Sequence, residues 1–227
     1  MNKNSSMPTV KSSKNMVAIK QIRFLTDHTF VLRLDRTDFN FKPGQHLTLG
    51  VNNSLQHREY SIYSGDKDDY LEILVREILE GDISVQLKNV QVGQPVEING
   101  PFGILRINEE DLPDKKFILI ATGTGIAPFH SFVRSYKNMD YTIIHGVKYS
   151  NEAYEKSEYD FHRYVLCTSR EKKEGFQGRV TDYLRKIPVT PDMRFYICGN
   201  SKMIYEVYSI LRNKGVQTND IFSEVYF

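Results

Sequence analysis

Five short stretches of this chain carry residue types able to hold a phosphate, a flat ring or a reacting proton. In ATGTGIAPF, residues 121–129, Gly123 and Gly125 allow a sharp turn and close approach of backbone to a ligand. The helix expected beyond them would point N–H groups at an anion such as a pyrophosphate. Pro128 stands where the third glycine of G-x-G-x-x-G would be, so the loop lacks that fingerprint. A tight strand–helix turn that needs glycine for space alone has the same pattern. CGN, residues 198–200, offers Cys198 and Gly199 at a second apparent strand end. Cys198 lacks a neighbouring histidine to serve as base, and such a cysteine is more often a small packing residue. In REYSIYS, residues 58–64, Arg58 and Tyr60 alternate onto one face and Ser61 onto the other. A cation beside an aromatic ring can hold a phosphate and stack a flat ring, or can simply face solvent. EGDISVQL supplies another helix start, with Ser84 free to cap it or to bond a phosphate. The final residues, EVYF, put the carboxylate of Glu224 and the rings of Tyr226 and Phe227 where polar, frayed residues are the norm.

The elements that must position these residues change rhythm partway along the chain. From Met16 to about Ile107, runs of strand length (MVAIKQIRFL, TFVLRL, HLTLGV, YSIYS, YLEILVRE, PVEING) alternate with turn clusters such as KPG and SGDKDD. YLEILV and VAIKQIRF alternate as half-buried strands do. DISVQLKNV is the one helix expected among them, and the spacing predicts a closed or nearly closed antiparallel barrel. From Lys115 onward, continuous apolar runs (FILIA, YTIIHGV, YVLCTS, FYICG, IFSEVYF) alternate with intervals long enough for crossovers. APFHSFVRSYK and SKMIYEVYSILRNKG read as helices, the second capped by Ser201 and closed by Gly215. The expected organisation is a mobile N-terminal arm over 1–15, an antiparallel β-barrel over 16–111 and a mainly parallel α/β nucleotide-binding sheet over 112–227. In such a sheet ligands collect at the carboxyl ends of strands, and two glycine-bearing loops fall at such ends.

Composition narrows the function. The 227 residues carry a net charge of +2, which implies no nucleic-acid or other polyanion partner. No apolar run approaches the ~18 residues of a membrane span, and the first residues lack a secretory signal. Two cysteines, Cys167 and Cys198, are too few for an iron–sulfur cluster or a structural zinc site, and a reducing cytoplasm is expected. No metal site is expected.

The motifs in this order resemble the ferredoxin–NADP+ reductase family, flavoproteins in which a β-barrel FAD domain precedes an α/β pyridine-nucleotide domain. REYS resembles the family's R-x-Y-S flavin motif, GDIS its G-x-x-S segment near the FAD pyrophosphate, and GPFG the loop closing the flavin domain. GTGIAPF resembles the nicotinamide-side G-T-G-x-A-P motif, CGN the C-G-N/D loop, and EVYF the acidic–aromatic C-terminus of ferredoxin-reducing members. The resemblance spans about residue 16 to the last residue. It implies FAD contacts from Arg58, Tyr60, Ser61, Arg76, Gly81, Ile83, Ser84, Thr124, Tyr226 and Phe227. Gly123, Thr124, Gly125, Cys198 and Gly199 are implied on the NADP side. Catalysis would involve Ser61 near flavin N5, Cys198 against the nicotinamide, Glu224 near the nicotinamide–flavin contact, and Tyr226, stacked where nicotinamide must go and displaced for hydride transfer. Direct transfer needs the reacting atoms roughly 3–3.5 Å apart.

An NADPH enzyme needs cations around the ribose 2′-phosphate, whereas an NADH enzyme usually offers a carboxylate. Lys148, Ser169, Arg170 and Arg179 fall where NADPH-using relatives bind that phosphate. Lys148 replaces an arginine found in some bacterial members, giving a point charge in place of a fork. The resemblance also implies a transient ferredoxin or flavodoxin partner and a monomer. Two neighbouring readings stay open: an NAD(P)H:flavin reductase, and an electron-transfer subunit of a larger redox complex.

Overall fold

The computed structural model describes residues 15–51, 56–80 and 82–225. The expected N-terminal arm lies outside them apart from Asn15, as do Gly81, Tyr226 and Phe227.

Six strands form the first sheet: β1 (Asn15–Thr26), β2 (Thr29–Asp35), β3 (His46–Val51), β4 (Arg58–Ser61), β5 (Tyr70–Arg76) and, after helix α1 (Asp82–Lys88), β6 (Pro95–Phe102). Their order is β4-β3-β6-β1-β2-β5, with every neighbouring pair antiparallel. An Ile62–Ile73 bridge and the bond from Tyr63 N–H to the Glu72 carbonyl, 2.7 Å, draw the two edges together. The sheet therefore curls into the nearly closed barrel expected from the strand spacing, which leaves little exposed edge. Ile19, Leu32, Leu47, Ile62, Ile73 and Ile98 meet inside it.

One expectation within this half is corrected. YLEILV alternates, yet β5 is buried from Leu71 to Val75, including Glu72 at 2 % exposure. The polar position that simulates a solvent face is satisfied internally: Glu72 Oε1 accepts from Arg23 at 2.9 Å and from Arg33 at 2.9 and 3.0 Å. Leu74 on the same strand joins the core of the second half, so both faces of β5 are covered.

The second sheet is wholly parallel. In chain order it comprises β7 (Lys116–Thr122), α2 (Ala127–Ser135), β8 (Tyr141–Val147), β9 (Tyr164–Thr168), β10 (Phe176–Gln177), α3 (Val180–Lys186), β11 (Met193–Gly199), α4 (Ser201–Asn213) and β12 (Ile221–Val225). Strand order is β10-β9-β8-β7-β11-β12. Along β7, Phe117, Leu119 and Ala121 pack toward α2, while Ile118 and Ile120 pack toward α3 and α4. Burial on both faces explains why this strand reads as an unbroken apolar run. The chain leaves β7 to one side and returns to its other side with β11, so the order reverses between these two strands. Ligands bind in the crevice at the carboxyl ends of strands at such a reversal.

The sequence placed the cap of α4 on Ser201; the structure moves it to Asn200, whose Oδ1 accepts from Lys202 N–H at 3.0 Å and Met203 N–H at 3.4 Å. An asparagine directly before the first helical residue reaches the orphan N–H groups that Ser201, already helical, cannot. The other end closes as expected. Gly215 at φ +89° lets its own N–H reach the Arg212 carbonyl and Val216 N–H reach that of Leu211, both 3.0 Å.

The halves meet along α2. His130 stacks on Tyr63 with centroids 3.7 Å apart, and its Nδ1 lies 2.6 Å from the Tyr63 carbonyl. Ser131 Oγ donates to the Ser64 carbonyl at 2.7 Å, and Arg134 holds Asp68 through two bonds of 3.0 Å. The segment just after β4 is thereby fixed against the helix that follows the 123–126 loop.

Candidate active site

The carboxyl ends of β7 and β11 interlock. A Cβ on Gly125 would sit 2.5 Å from the Cys198 carbonyl oxygen, and one on Gly199, at φ +136°, would sit 2.3 Å from Thr122 Oγ1. Thr122 Oγ1 accepts from Asn200 N–H at 3.1 Å, tying the two loops. Beneath them His145 is fully buried, which lowers its pKa to about 4 and keeps the imidazole neutral. Nε2 faces the Gly123 carbonyl at 2.9 Å and so donates the one proton, leaving Nδ1 to accept from Tyr164 O–H at 2.6 Å. Within YTIIHGV this histidine read only as a strand residue; its part is to fix the Gly123 peptide.

Above this floor opens a cleft of about 760 Å³ between the two halves. From the barrel side it is walled by Arg58, Tyr60 and Ser61 on β4, by Arg76 at the end of β5, and by Ile83 and Ser84 on α1. From the other side Gly123, Thr124, Gly125, Lys148, Ser169, Arg179 and Gly199 border it. Two segments far apart in sequence thus share one space. Burial pushes the Tyr60 hydroxyl up to about 12, with the Arg58 charge pulling the other way, so the ring stays a neutral phenol. Ser84 is committed locally: its Oγ accepts from Ile78 N–H at 2.9 Å and donates to the Ile78 carbonyl at 3.3 Å, holding the loop before α1. Arg76 Nη1 lies 3.7 Å from Glu152 Oε1. The other oxygen of Glu152 accepts from the N–H groups of Lys148 at 2.8 Å and Tyr149 at 3.2 Å. Glu152, absent from every motif, couples a cation of the barrel wall to the loop carrying Lys148.

A second hollow of about 470 Å³ continues the first through Lys148, Ser169, Gly178 and Arg179, and adds Arg170 and Asp182. Among the described residues no carboxylate pairs with the side chains of Lys148, Arg170 or Arg179. Glu171 is turned away, its carboxylate accepting from Ser150 N–H.

Among the described residues, two expected site residues border neither hollow. Cys198 is fully buried behind Gly125, and burial, with Glu224 nearby, raises its thiol far above the ordinary range, so it is no nucleophile. Glu224 lies opposite Cys198 in the β11–β12 register, with Oε1 3.1 Å from Nδ1 of His46. His46, which sequence reasoning missed, is the register partner of Ser61. The bond from His46 to Glu224 therefore joins the strand beside Ser61 to the strand beside Cys198.

A barrel followed by a parallel sheet, with a cleft at the strand-order reversal, is an architecture for holding two cofactors against each other. Residues 18–107 match the model described as an oxidoreductase FAD-binding domain, and 119–208 the one described as an oxidoreductase NAD-binding domain. A ferredoxin--NADP reductase of Pseudomonas aeruginosa is 30% identical over 219 residues, covering 81% of this chain and 83% of that protein. The toluate 1,2-dioxygenase electron transfer component of Pseudomonas putida is 27% identical across 92% of this chain, which spans 66% of its length. Among solved structures, a ferredoxin NADP+ reductase from Neisseria gonorrhoeae with bound FAD and NADP superposes with a TM-score of 0.86 at 24% identity, covering 96% of this chain and all of that one. The chain belongs to the ferredoxin–NADP+ reductase family of FAD- and NAD(P)-binding oxidoreductases. No helix among the described residues is long and apolar enough to cross a membrane.

Proposed function

We propose that this protein is an FAD-dependent NADPH:ferredoxin or flavodoxin oxidoreductase, with an FAD domain over 16–111 and an NADP domain over 112–227. The observation that carries the choice of NADPH is the second hollow. Lys148, Arg170 and Arg179 gather without carboxylate partners beside Ser169, continuous with the main cleft. A 2′-phosphate there would gain charge-assisted bonds, whereas NADH would leave the cations uncompensated.

The residues present fit FAD. Arg58 and Arg76 supply cations, Tyr60 a neutral ring, and Gly123 at φ +54° leaves space in which a Cβ would meet nothing nearer than Arg76 at 3.9 Å. Bound FAD would supply the chemistry of accepting an electron pair and releasing electrons singly. Arg58 and Arg76 would hold its phosphates, and Tyr60 would stack on its ring. Ile83 and the α1 backbone would flank the pyrophosphate, with Ser84 fixing the loop, while Gly81, Tyr226 and Phe227 complete the expected set outside the described residues. Thr124 and the Gly123–Gly125 loop would bind the nicotinamide nucleotide. Cys198 would pack behind it, and Ser61 and Glu224 would flank the reacting rings. The acceptor would be an acidic ferredoxin or flavodoxin, met transiently by a monomer, and two unbonded buried cysteines support the cytoplasm.

The 27% relative named as an electron transfer component supports a second reading, in which the chain serves a larger redox complex. Stable co-purification of another chain would favour it. For the first reading, anaerobic stopped-flow mixing with NADPH and, separately, NADH reads flavin bleaching directly. Fast bleaching by NADPH and slow bleaching by NADH is the expected result. Equal rates would remove the 2′-phosphate site, and a colourless protein that takes up no added FAD would overturn the reading.

A further inference from the structure

His46 and Glu224 stand 178 residues apart, on the first strand position of β3 and near the end of β12. Their side chains are 11 % and 14 % exposed. The carboxylate oxygen can only accept, so Nδ1 donates across the 3.1 Å contact. The surroundings are shaped to this pair. Gly103, at φ +93°, lies where a Cβ would come within 2.7 Å of both Glu224 Oε1 and His46 Nδ1. The His46 backbone is held between Ser61 on β4 and Phe102 on β6, and the Phe102 ring lies 5.9 Å from the imidazole.

We propose that His46 is a positioning residue for Glu224, fixing its carboxylate where β3, the strand paired with the one bearing Ser61, meets β12, the strand paired with the one bearing Cys198 and Gly199. The inference rests on the proposed place of Glu224 beside the reacting rings. A glutamate side chain has several rotamers. A donor anchored in the barrel selects one and ties the end of β12 to the FAD half. Among the described residues, the titratable groups facing His46 are Glu224 on β12 and Glu59 on β4; Cys198 on β11 is an un-ionised thiol beside Glu224. Both carboxylates favour the imidazolium, the bond to Glu224 most, and burial opposes it; the net shift is upward.

The test is single-turnover reduction of the FAD-loaded protein by NADPH, in wild type, His46→Asn, His46→Phe, Glu224→Gln and the His46→Phe/Glu224→Gln double variant. Asparagine places an amide nitrogen where Nδ1 stood; phenylalanine keeps the ring and removes the donor. Glu224→Gln and His46→Phe should each slow reduction about tenfold or more, the scale of one charge-assisted bond. His46→Asn should recover most of the loss. The double variant should be no slower than Glu224→Gln alone, because both changes break one unit. The wild-type rate should fall as pH rises through the imidazolium range and be flat there in His46→Asn. Retained FAD and an unchanged unfolding midpoint separate these effects from misfolding. A slow Glu224→Gln with a normal His46→Phe would overturn this inference alone. A normal Glu224→Gln would overturn the proposed place of Glu224 and this inference with it.

Discussion

Two glycines two residues apart do different work, and alanine substitution should separate them. Gly125 has an ordinary φ, so alanine adds no backbone strain there. Its methyl, however, would lie 2.5 Å from Cys198 O and 2.7 Å from both Cys198 C and Gly199 Cα, roughly 1 Å inside van der Waals contact. All three atoms are backbone, and Cys198 is laddered to Ala121 on one side and Glu224 on the other, so nothing rotates away. Overpacking costs about 1–3 kcal/mol when side chains can shift, and a backbone clash falls at about the upper end. At ~2–4 °C per kcal/mol for a chain of this size, Gly125→Ala should lower the unfolding midpoint by about 6–12 °C. Gly123→Ala meets only Arg76 Nη1 at 3.9 Å, and its cost is the left-handed backbone at φ +54°, about 1 kcal/mol and ~2–4 °C. Its methyl points into the cleft, so it should weaken nucleotide binding despite the smaller thermal effect. Differential scanning calorimetry with NADPH titrations on both variants checks this. A Gly125→Ala midpoint within about 2 °C of wild type, or equal losses for both variants, would refute the close-approach argument.

Other outcomes follow from the charges and the burial. Arg179→Gln should raise the dissociation constant for NADPH by about 10–150-fold, the worth of one charge-assisted bond of ~1.5–3 kcal/mol, and leave NADH unchanged; Lys148 and Arg170 would remain to offset Asp182 in the same hollow, and isothermal titration with both nucleotides reads the difference. Burial raises the Cys167 thiol to about 12 and Cys198 further, so iodoacetamide at neutral pH should label neither in the folded protein and both in urea, as mass spectrometry would register. Hydrogen bonding by His130 Nε2 at 3.0 Å, with Arg134 adding its charge, lowers the Glu158 carboxyl to about 2. A depressed carboxylate stabilises fully above its ordinary value of 4.5, and its contribution is lost as pH falls from there through 2. Because Glu158 is over a third exposed, solvent screening keeps that contribution small, and urea titrations should find wild type losing slightly more stability than Glu158→Gln between pH 5 and about 2.

What the sequence disclosed of this site was local. A strand, a glycine turn and a helix start occupy consecutive residues in ATGTGIAPF and again around CGN. Steric demand and ligand approach both write themselves there as glycine. Strand number and the change from alternating to continuous apolar runs were legible for the same reason, since each reports burial of a short segment. Glu72 misled because alternation records polarity and not solvent: a carboxylate met by Arg23 and Arg33 is buried without looking so. His145 and Glu152 escaped because each reaches a partner far off in the sequence, the Gly123 carbonyl in one case and the Arg76 guanidinium in the other.

Gly103 marks the boundary most sharply. GPFG identifies a tight loop, and a glycine at φ +93° needs no further reason to be glycine. Yet the space its missing Cβ leaves holds the atoms that join His46 to Glu224, residues 178 positions apart in the chain. Local conformation alone would tolerate asparagine, which enters the left-handed region more readily than other side chains. The pair would not, because any Cβ would displace it. Gly103→Asn should therefore reproduce the slow reduction of His46→Phe, with a fall in unfolding midpoint of about 2–4 °C from the left-handed backbone. Gly93, at φ +89° with nothing within 4 Å of its Cβ position, should accept the same substitution without effect on rate. Equal rates for the two asparagine variants in the stopped-flow assay would reduce Gly103 to a turn residue and leave the His46–Glu224 contact without a steric requirement.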